Sequence, residues 1–116
     1  MIPEGVTKIE NGCFCHCSQL TNITLPTTLK EIGEKAFFNT NIITIIIPEG
    51  ITKIENYCFE DCSQLTKITL PSTLKEIGDN AFSNTKITTI IIPEGCKYVK
   101  DGTWKSFPSN CEVITK

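Results

Sequence analysis

Arginine is absent from this 116-residue chain. All 11 basic residues are lysines, interleaved with 13 acids to leave a net charge of −2. Nucleic-acid binding is set aside on that ground, since there is no basic footprint and no guanidinium to grip phosphate. Long hydrophobic runs are missing too. No apolar stretch exceeds three residues, against the about 20 that a membrane-spanning helix needs. Histidine occurs once, at His16. With no Ser/His/Asp set, no phosphate-cradling glycine loop and no clustered carboxylates, neither an enzyme nor a cofactor is expected. Met1-Ile-Pro-Glu-Gly enters a repeat directly, without the basic and apolar regions of a signal peptide, so the residues alone read as cytoplasmic.

What is present is one short pattern written about five times. Proline recurs at Pro3, Pro26, Pro48, Pro71 and Pro93, at steps of 23, 22, 23 and 22 residues. Such a period is the mark of a solenoid. Counted from each proline, an apolar column runs Val6, Leu29, Ile51, Leu74, Cys96, and another Ile9, Ile32, Ile54, Ile77, Val99. An aromatic column reads Phe14, Phe37, Phe59, Phe82, Trp104, and late aliphatics close the first four coils at Leu20, Ile42, Leu65 and Ile87. An alternating triplet then runs into the next proline, as in Ile23-Thr24-Leu25 and Ile68-Thr69-Leu70. Alternation of β-branched residues reads as a half-buried strand. Proline ends it, having no ladder donor. No coil can bury its own apolar set, so stacking is obligatory.

A second period lies over the first. Residues 3–47 and 48–92 match at 34 of 45 positions without a gap. Odd coils read P-E-G-x-T-K-I-E-N-x-C-F-x-x-C-S-Q-L and even coils P-x-T-L-K-E-I-G-x-x-A-F-x-N-T-x-I. The segment from Leu65 to Phe82, L-T-K-I-T-L-P-S-T-L-K-E-I-G-D-N-A-F, resembles the BspA-type leucine-rich repeat, also found in treponemal surface proteins. The resemblance implies a right-handed leucine-rich-repeat solenoid of the α/β horseshoe class, here mostly short parallel strands and turns. It also implies a surface or secreted adhesion protein that binds through the concave sheet. The expected organisation is a single domain, 1–116, with coils at 3–25, 26–47, 48–70 and 71–92 and a cap-like coil at 93–116.

The expected binding face is the pair of outward columns on the strands that run into proline. These are Thr24, Ile46, Thr69 and Ile91, and beside them Asn22, Thr44, Lys67 and Thr89. Isoleucine pointing outward in a threonine field gives a mildly apolar stripe. The expected function is therefore a non-enzymatic interaction or adhesion module for a protein or glycan ligand. The alternative is a structural spacer of a larger repeat protein with no ligand of its own.

Four further expectations concern packing. Cys13 and Cys58 share a column with Ala36 and Ala81, and Cys17 and Cys62 share one with Thr40 and Thr85. Cysteines in one column lie two coils, about 9.5 Å, apart, too far for a disulfide. All four read as buried, reduced thiols, leaving Cys15 as the exposed one. Cys15 and His16 are soft donors, but two adjacent turn residues do not complete a metal site. Lys8, Glu31, Lys53, Glu76 and Tyr98 form a ladder whose charges pair between neighbouring coils, and Gly33 and Gly78 supply positive φ. Finally, coil one has no polar cap over Ile2, Val6, Ile9 and Phe14, so it frays or self-associates.

Overall fold

The computed structural model describes residues 2–116. It is a stack of coils measuring 35 × 29 × 20 Å. In chain order the strands are β1 (Lys8–Ile9), β2 (Glu31–Ile32), β3 (Thr44–Ile46), β4 (Lys53–Ile54), β5 (Lys67–Thr69), β6 (Glu76–Ile77), β7 (Thr89–Ile92) and β8 (Glu112–Thr115). Among the described residues there is no helix. Every strand pairing is parallel, β1 with β2, β4 with β6, β3 with β5 and β7 with β8, as a solenoid requires. The two-residue strands line one side of the stack. The longer strands line another, here called the proline-side sheet because β3, β5 and β7 run into proline; its rungs pair two by two, β3 with β5 and β7 with β8.

Each proline opens a turn closed from its carbonyl to the N–H three residues on, as in Leu29 to Pro26 at 3.2 Å and Leu74 to Pro71 at 3.2 Å. Odd coils put glycine third in this turn, with φ of +101° at Gly5 and +104° at Gly50, a conformation that a side chain resists. Even coils use threonine there and keep φ negative. A third side consists of turns with two left-handed residues per coil, including His16, Asn39, Asp61 and Asn84 in one column. Here the amide of one coil donates to the carbonyl of the next. Phe14 meets Ala36 at 2.8 Å, Phe37 meets Cys58 at 2.9 Å, and Phe59 meets Ala81 at 2.8 Å. Turn residues can therefore stack as regularly as strands, because their backbone groups find partners between coils.

The core runs the length of the stack. Its spine is five parallel phenylalanine rings, Phe14, Phe37, Phe59, Phe82 and Phe107, with centroids 5.2 to 5.4 Å apart. The fifth ring is Phe107, not Trp104 as the spacing from Pro93 suggests. Coil five carries three extra residues before its aromatic and recovers the register after it. Trp104 therefore falls in the column of Asn11 and Asn56 and is 54% exposed. The backbone confirms the shift, since Asn80 N–H donates to Trp104 O and Phe82 N–H to Ser106 O. Pro108 follows Phe107 into the Cys/Thr column, and Cys111 N–H donates to Pro108 O as Leu65 N–H does to Cys62 O. The ladder on the short-strand side shifts as well. Glu76 bridges to Lys97 rather than to Tyr98. Lys8 and Glu31 are register partners, as are Lys53 and Glu76. Yet the ion pairs form along the chain, Lys8 to Glu10 at 3.7 Å and Lys53 to Glu55 at 3.5 Å. Both pairs are largely solvated, so they contribute little, about 0–1 kcal/mol.

Gly33 and Gly78 are not left-handed, contrary to expectation. They are needed for room. A Cβ at Gly33 would stand 2.5 Å from Asn11 N, and one at Gly78 would stand 2.8 Å from Asn56 N. Both asparagines press their side-chain oxygens across this gap, accepting from Glu34 N–H at 2.9 Å and Asp79 N–H at 2.8 Å.

The cysteines split by position in the stack. All seven are free thiols; Cys58 and Cys62 are buried, Cys17 is half-buried, and Cys13 is exposed. The expectation that Cys13 and Cys17 are buried fails because no coil covers coil one among the described residues. Cys13, rather than half-buried Cys15, is the exposed thiol. Burial pushes the Cys58 and Cys62 thiols upward, the first further raised by its neighbour Cys62. In the native protein, alkylation should reach Cys13 first and spare Cys58 and Cys62, while all seven react in denaturant. A Cys58 as reactive as Cys13 would overturn this packing. An unfolded thiol ionises near about 8.5, so the folded state gains from these groups fully below that pH and loses the gain above it. Urea midpoints should fall between pH 8 and pH 10. Cys58→Ala should reduce the fall, since Ala36 and Ala81 already fit that column with no exposure.

Candidate functional site on the proline-side sheet

The strands of this sheet alternate inward and outward residues. Ile45, Ile90 and Ile92 are buried, while Ile46 is 69% exposed and Ile91 is 52% exposed. Threonine surrounds them. Thr44 pairs with Lys67, Ile46 with Thr69, and Thr44, Lys67, Thr69 and Thr89 are all exposed. The structure thus places six of the eight expected residues on strands of one side, Thr44, Ile46, Lys67 and Thr69 on the β3–β5 pair and Thr89 and Ile91 on β7, which pairs with β8. Asn22 and Thr24 sit beside it but not in a strand. The last bonds from coil one on this side run from Asn41 N–H to Leu20 O and from Ile43 N–H to Thr21 O, at 3.1 and 3.0 Å.

Beyond that point a groove of about 610 Å³ opens between the first two coils. Its lining includes the apolar Ile23, Leu25, Ile45 and Ile46, with Asn22, Thr24, Thr44 and Glu49 among its polar members. Glu49 brings a fixed negative charge. Its carboxylate accepts from Ser72 Oγ at 2.7 Å and Ser72 N–H at 3.0 Å, and these bonds hold its pKa below the usual carboxylate range.

Three residues escaped the sequence reading. β8 is a fourth strand on this side, pairing Thr89 with Glu112 and Ile91 with Ile114. Ile114 therefore extends the apolar column and Glu112 the polar one. The signal was available, because continuing the proline count into coil five reaches Val113 at the place of Ile23 and Ile68. Ile43 is also exposed on this side of coil two, where coils one, three and four carry threonine. Nothing in the repeat pattern distinguishes it beyond that exchange.

Cys15 and His16 lie elsewhere, on the turn side. His16 Nδ1 sits 2.9 Å from Asn39 Nδ2, and its ring meets Phe38 edge-on at 5.3 Å. Asp61 and Asn84 repeat the polar contact two coils on at 2.7 Å. His16 is thus engaged in holding coils together. Among the described residues no three His, Cys, Asp or Glu side chains converge as metal ligands.

Stacked parallel strands, a phenylalanine spine and a polar strand-lined side with isolated apolar points define a leucine-rich-repeat solenoid. The BspA-type leucine-rich-repeat model matches residues 1–113 in six copies, and the chain belongs to that family. Among solved structures, it is similar to a leucine-rich cell surface protein from Faecalibacterium prausnitzii, at 29% identity and a TM-score of 0.70. That similarity covers 99% of this chain and 27% of the other. A leucine-rich-repeat protein from Bacteroides ovatus matches at 24% identity and a TM-score of 0.45, over 98% of this chain and 44% of the other. No curated protein matches the sequence.

Proposed function

We propose that the chain is a non-enzymatic interaction module that binds a protein or glycan ligand through the proline-side sheet. The observation that carries this reading is the exposure of Ile46 and Ile91 on hydrogen-bonded strands. A solvated sheet has no need of aliphatic side chains held outward by backbone pairing, whereas a docking surface gains from each one it covers. The adjoining groove supplies concavity, and the cell surface protein from Faecalibacterium prausnitzii supplies a setting in which adhesion is a natural role.

The test is a pair of arrays, one of glycans and one of extracellular protein domains, probed with the wild-type chain and with Ile46→Glu/Ile91→Glu. The variant should keep the wild-type circular dichroism spectrum and urea midpoint, because neither side chain is in the core. Its binding should fall at least about tenfold, the effect of placing unpaired charge in a desolvated contact. The absence of any binder on either array, or binders that the variant retains in full, would favour the spacer alternative.

A further inference from the structure

Strand pairing alternates between the two sides of the stack. Coils one and two pair on the short-strand side, through β1 and β2, and coils three and four do so through β4 and β6. Coils two and three pair on the proline side, through β3 and β5, and coils four and five through β7 and β8. The proline side is therefore left with a seam at each odd-to-even junction. In the first seam the bonds stop after Ile43 N–H to Thr21 O, and in the second after Lys86 N–H to Leu65 O at 2.9 Å. The second seam lies between coils that are themselves packed on both sides, so a seam belongs to the junction itself.

The first seam holds strand-edge groups without partners. Ile43 O accepts from Thr66 N–H at 3.0 Å and Ile47 N–H donates to Thr69 O at 2.9 Å, both toward coil three. A trans peptide points its C=O and N–H in opposite directions. Thr44 N–H and Ile46 O are therefore aimed at coil one, and neither has a backbone partner there among the described residues. On the facing wall, Asn22, Ile23, Thr24 and Leu25 enter no backbone hydrogen bond. A free donor and a free acceptor along one strand edge are what an added strand pairs with.

The groove between these walls narrows the guest further. Ile46 stands out on one wall and half-buried Ile23 on the other. At the proline end Glu49 holds its fixed negative charge, and no lysine is in the lining. A glycan has no regular row of amides to offer the strand edge. An apolar small molecule would cover Thr44 N–H and Ile46 O without pairing them, at a desolvation cost. An extended peptide supplies donors and acceptors at the spacing of a strand, together with side chains for the apolar walls.

We infer that the groove takes an extended segment of a partner protein, laid along β3, with apolar side chains against Ile23 and Ile46 and a lysine or arginine at Glu49. The four residues Asn22–Leu25 set the length of contact, about 13 Å of extended chain. The second seam carries Lys67 where the first has Asn22, so the guest's own cation favours the first. This inference rests on the reading of the proline-side sheet as a binding surface, and narrows its ligand from protein or glycan to a strand of protein.

The probe is a library of random short linear peptides displayed on phage and selected on the full chain. Selected peptides should alternate apolar and polar residues and carry lysine or arginine at one end. The tightest is then synthesised with its backbone nitrogens methylated at alternate residues, in each of the two registers. One register should lose roughly tenfold in affinity, the loss of one or two backbone hydrogen bonds, and the other should lose little. Thr44→Pro should weaken the unmethylated peptide to a similar degree, because it removes the N–H that faces the groove and leaves the bonds to coil three intact. Glu49→Gln should cost about two- to fivefold, and more as salt is lowered. If Thr44→Pro shifts the urea midpoint, the methylated peptides decide in its place. Equal binding by both methylated registers overturns the inference, as does binding untouched by both Thr44→Pro and Glu49→Gln. A selection that enriches no peptide overturns it too. In that case an array ligand lost with Ile46→Glu/Ile91→Glu leaves the proline-side reading standing, whereas the absence of any array ligand ends both.

Discussion

Phe59→Ala is expected to destabilise the protein by about 3–5 kcal/mol, the range for truncating a buried aromatic side chain. Phe59 is fully buried at the centre of the phenylalanine spine, 5.2 Å from Phe37 and 5.3 Å from Phe82. Its neighbours above and below are fixed by their own stacking and by backbone bonds between coils, so the cavity cannot collapse readily. Two offset stacking contacts, each adding about 0.5–1.5 kcal/mol beyond burial, go with the ring. In a stack each coil touches only its neighbours, so a void in coil three also weakens the link between the coils on either side. Urea denaturation should show a lower midpoint and a broader transition. The same experiment checks the register of coil five. Phe107→Ala should lie in the same class, while Trp104→Ala, which removes an exposed ring, should fall within about 0.5 kcal/mol of wild type. A Trp104 variant as damaging as the Phe107 one would place the wrong aromatic in the spine.

The reason coil five misled the sequence reading is physical. A repeat is readable where each position is constrained by an identical position above and below. Pro3 to Pro93, the Ile9 to Ile77 column and the Phe14 to Phe82 column all satisfy that condition, and each lies where the spacing puts it. Among the described residues coil five is packed from one side only. Its turn holds three more residues before Phe107 than the other coils hold before their phenylalanine, and a count from Pro93 cannot see that. The cysteines fail at the other end for the matching reason. Cys13 has the column of a buried residue, but burial depends on a neighbour that the column does not name.

The proline-side sheet was legible because alternation of isoleucine and threonine is a local signal. The groove beside it was not, because it arises where coil one stops bonding to coil two after Ile43. Residue types there are much the same as in coils three and four, where β5 and β7 are likewise not paired with each other, so no residue type marks the groove. The candidate site thus divides into a periodic part, Thr44, Ile46, Lys67, Thr69, Thr89 and Ile91, that the sequence displays, and a groove at an odd-to-even junction that only the geometry shows.

Gly78→Ala is expected to cost about 1–3 kcal/mol, the usual penalty for forcing extra volume into a filled space. The sign is what makes the experiment decisive. Gly78 does not have positive φ. If it were merely a permissive residue, alanine would stabilise the protein by about 0.4–1 kcal/mol through the unfolded chain. The close approach of coil three argues the opposite. An added Cβ meets Asn56 N at 2.8 Å and Asn56 Cα at 3.1 Å, and these are backbone atoms. They cannot swing aside, because Asn56 is held from both directions. Its carbonyl accepts from Lys35 N–H in coil two at 3.2 Å, and its side chain accepts from Asp79 N–H in coil four at 2.8 Å. Relief of the clash must open the bond to Asp79, so amide exchange should speed up at Asp79 before it does in the phenylalanine spine. Gly33→Ala should have the same sign, because its added Cβ would meet backbone as well, Asn11 N at 2.5 Å and Glu10 C at 2.7 Å. Equal or greater stability of the Gly78 variant in urea would show that the two coils can separate at this point without loss, and that the asparagine–glycine contact does not clamp them.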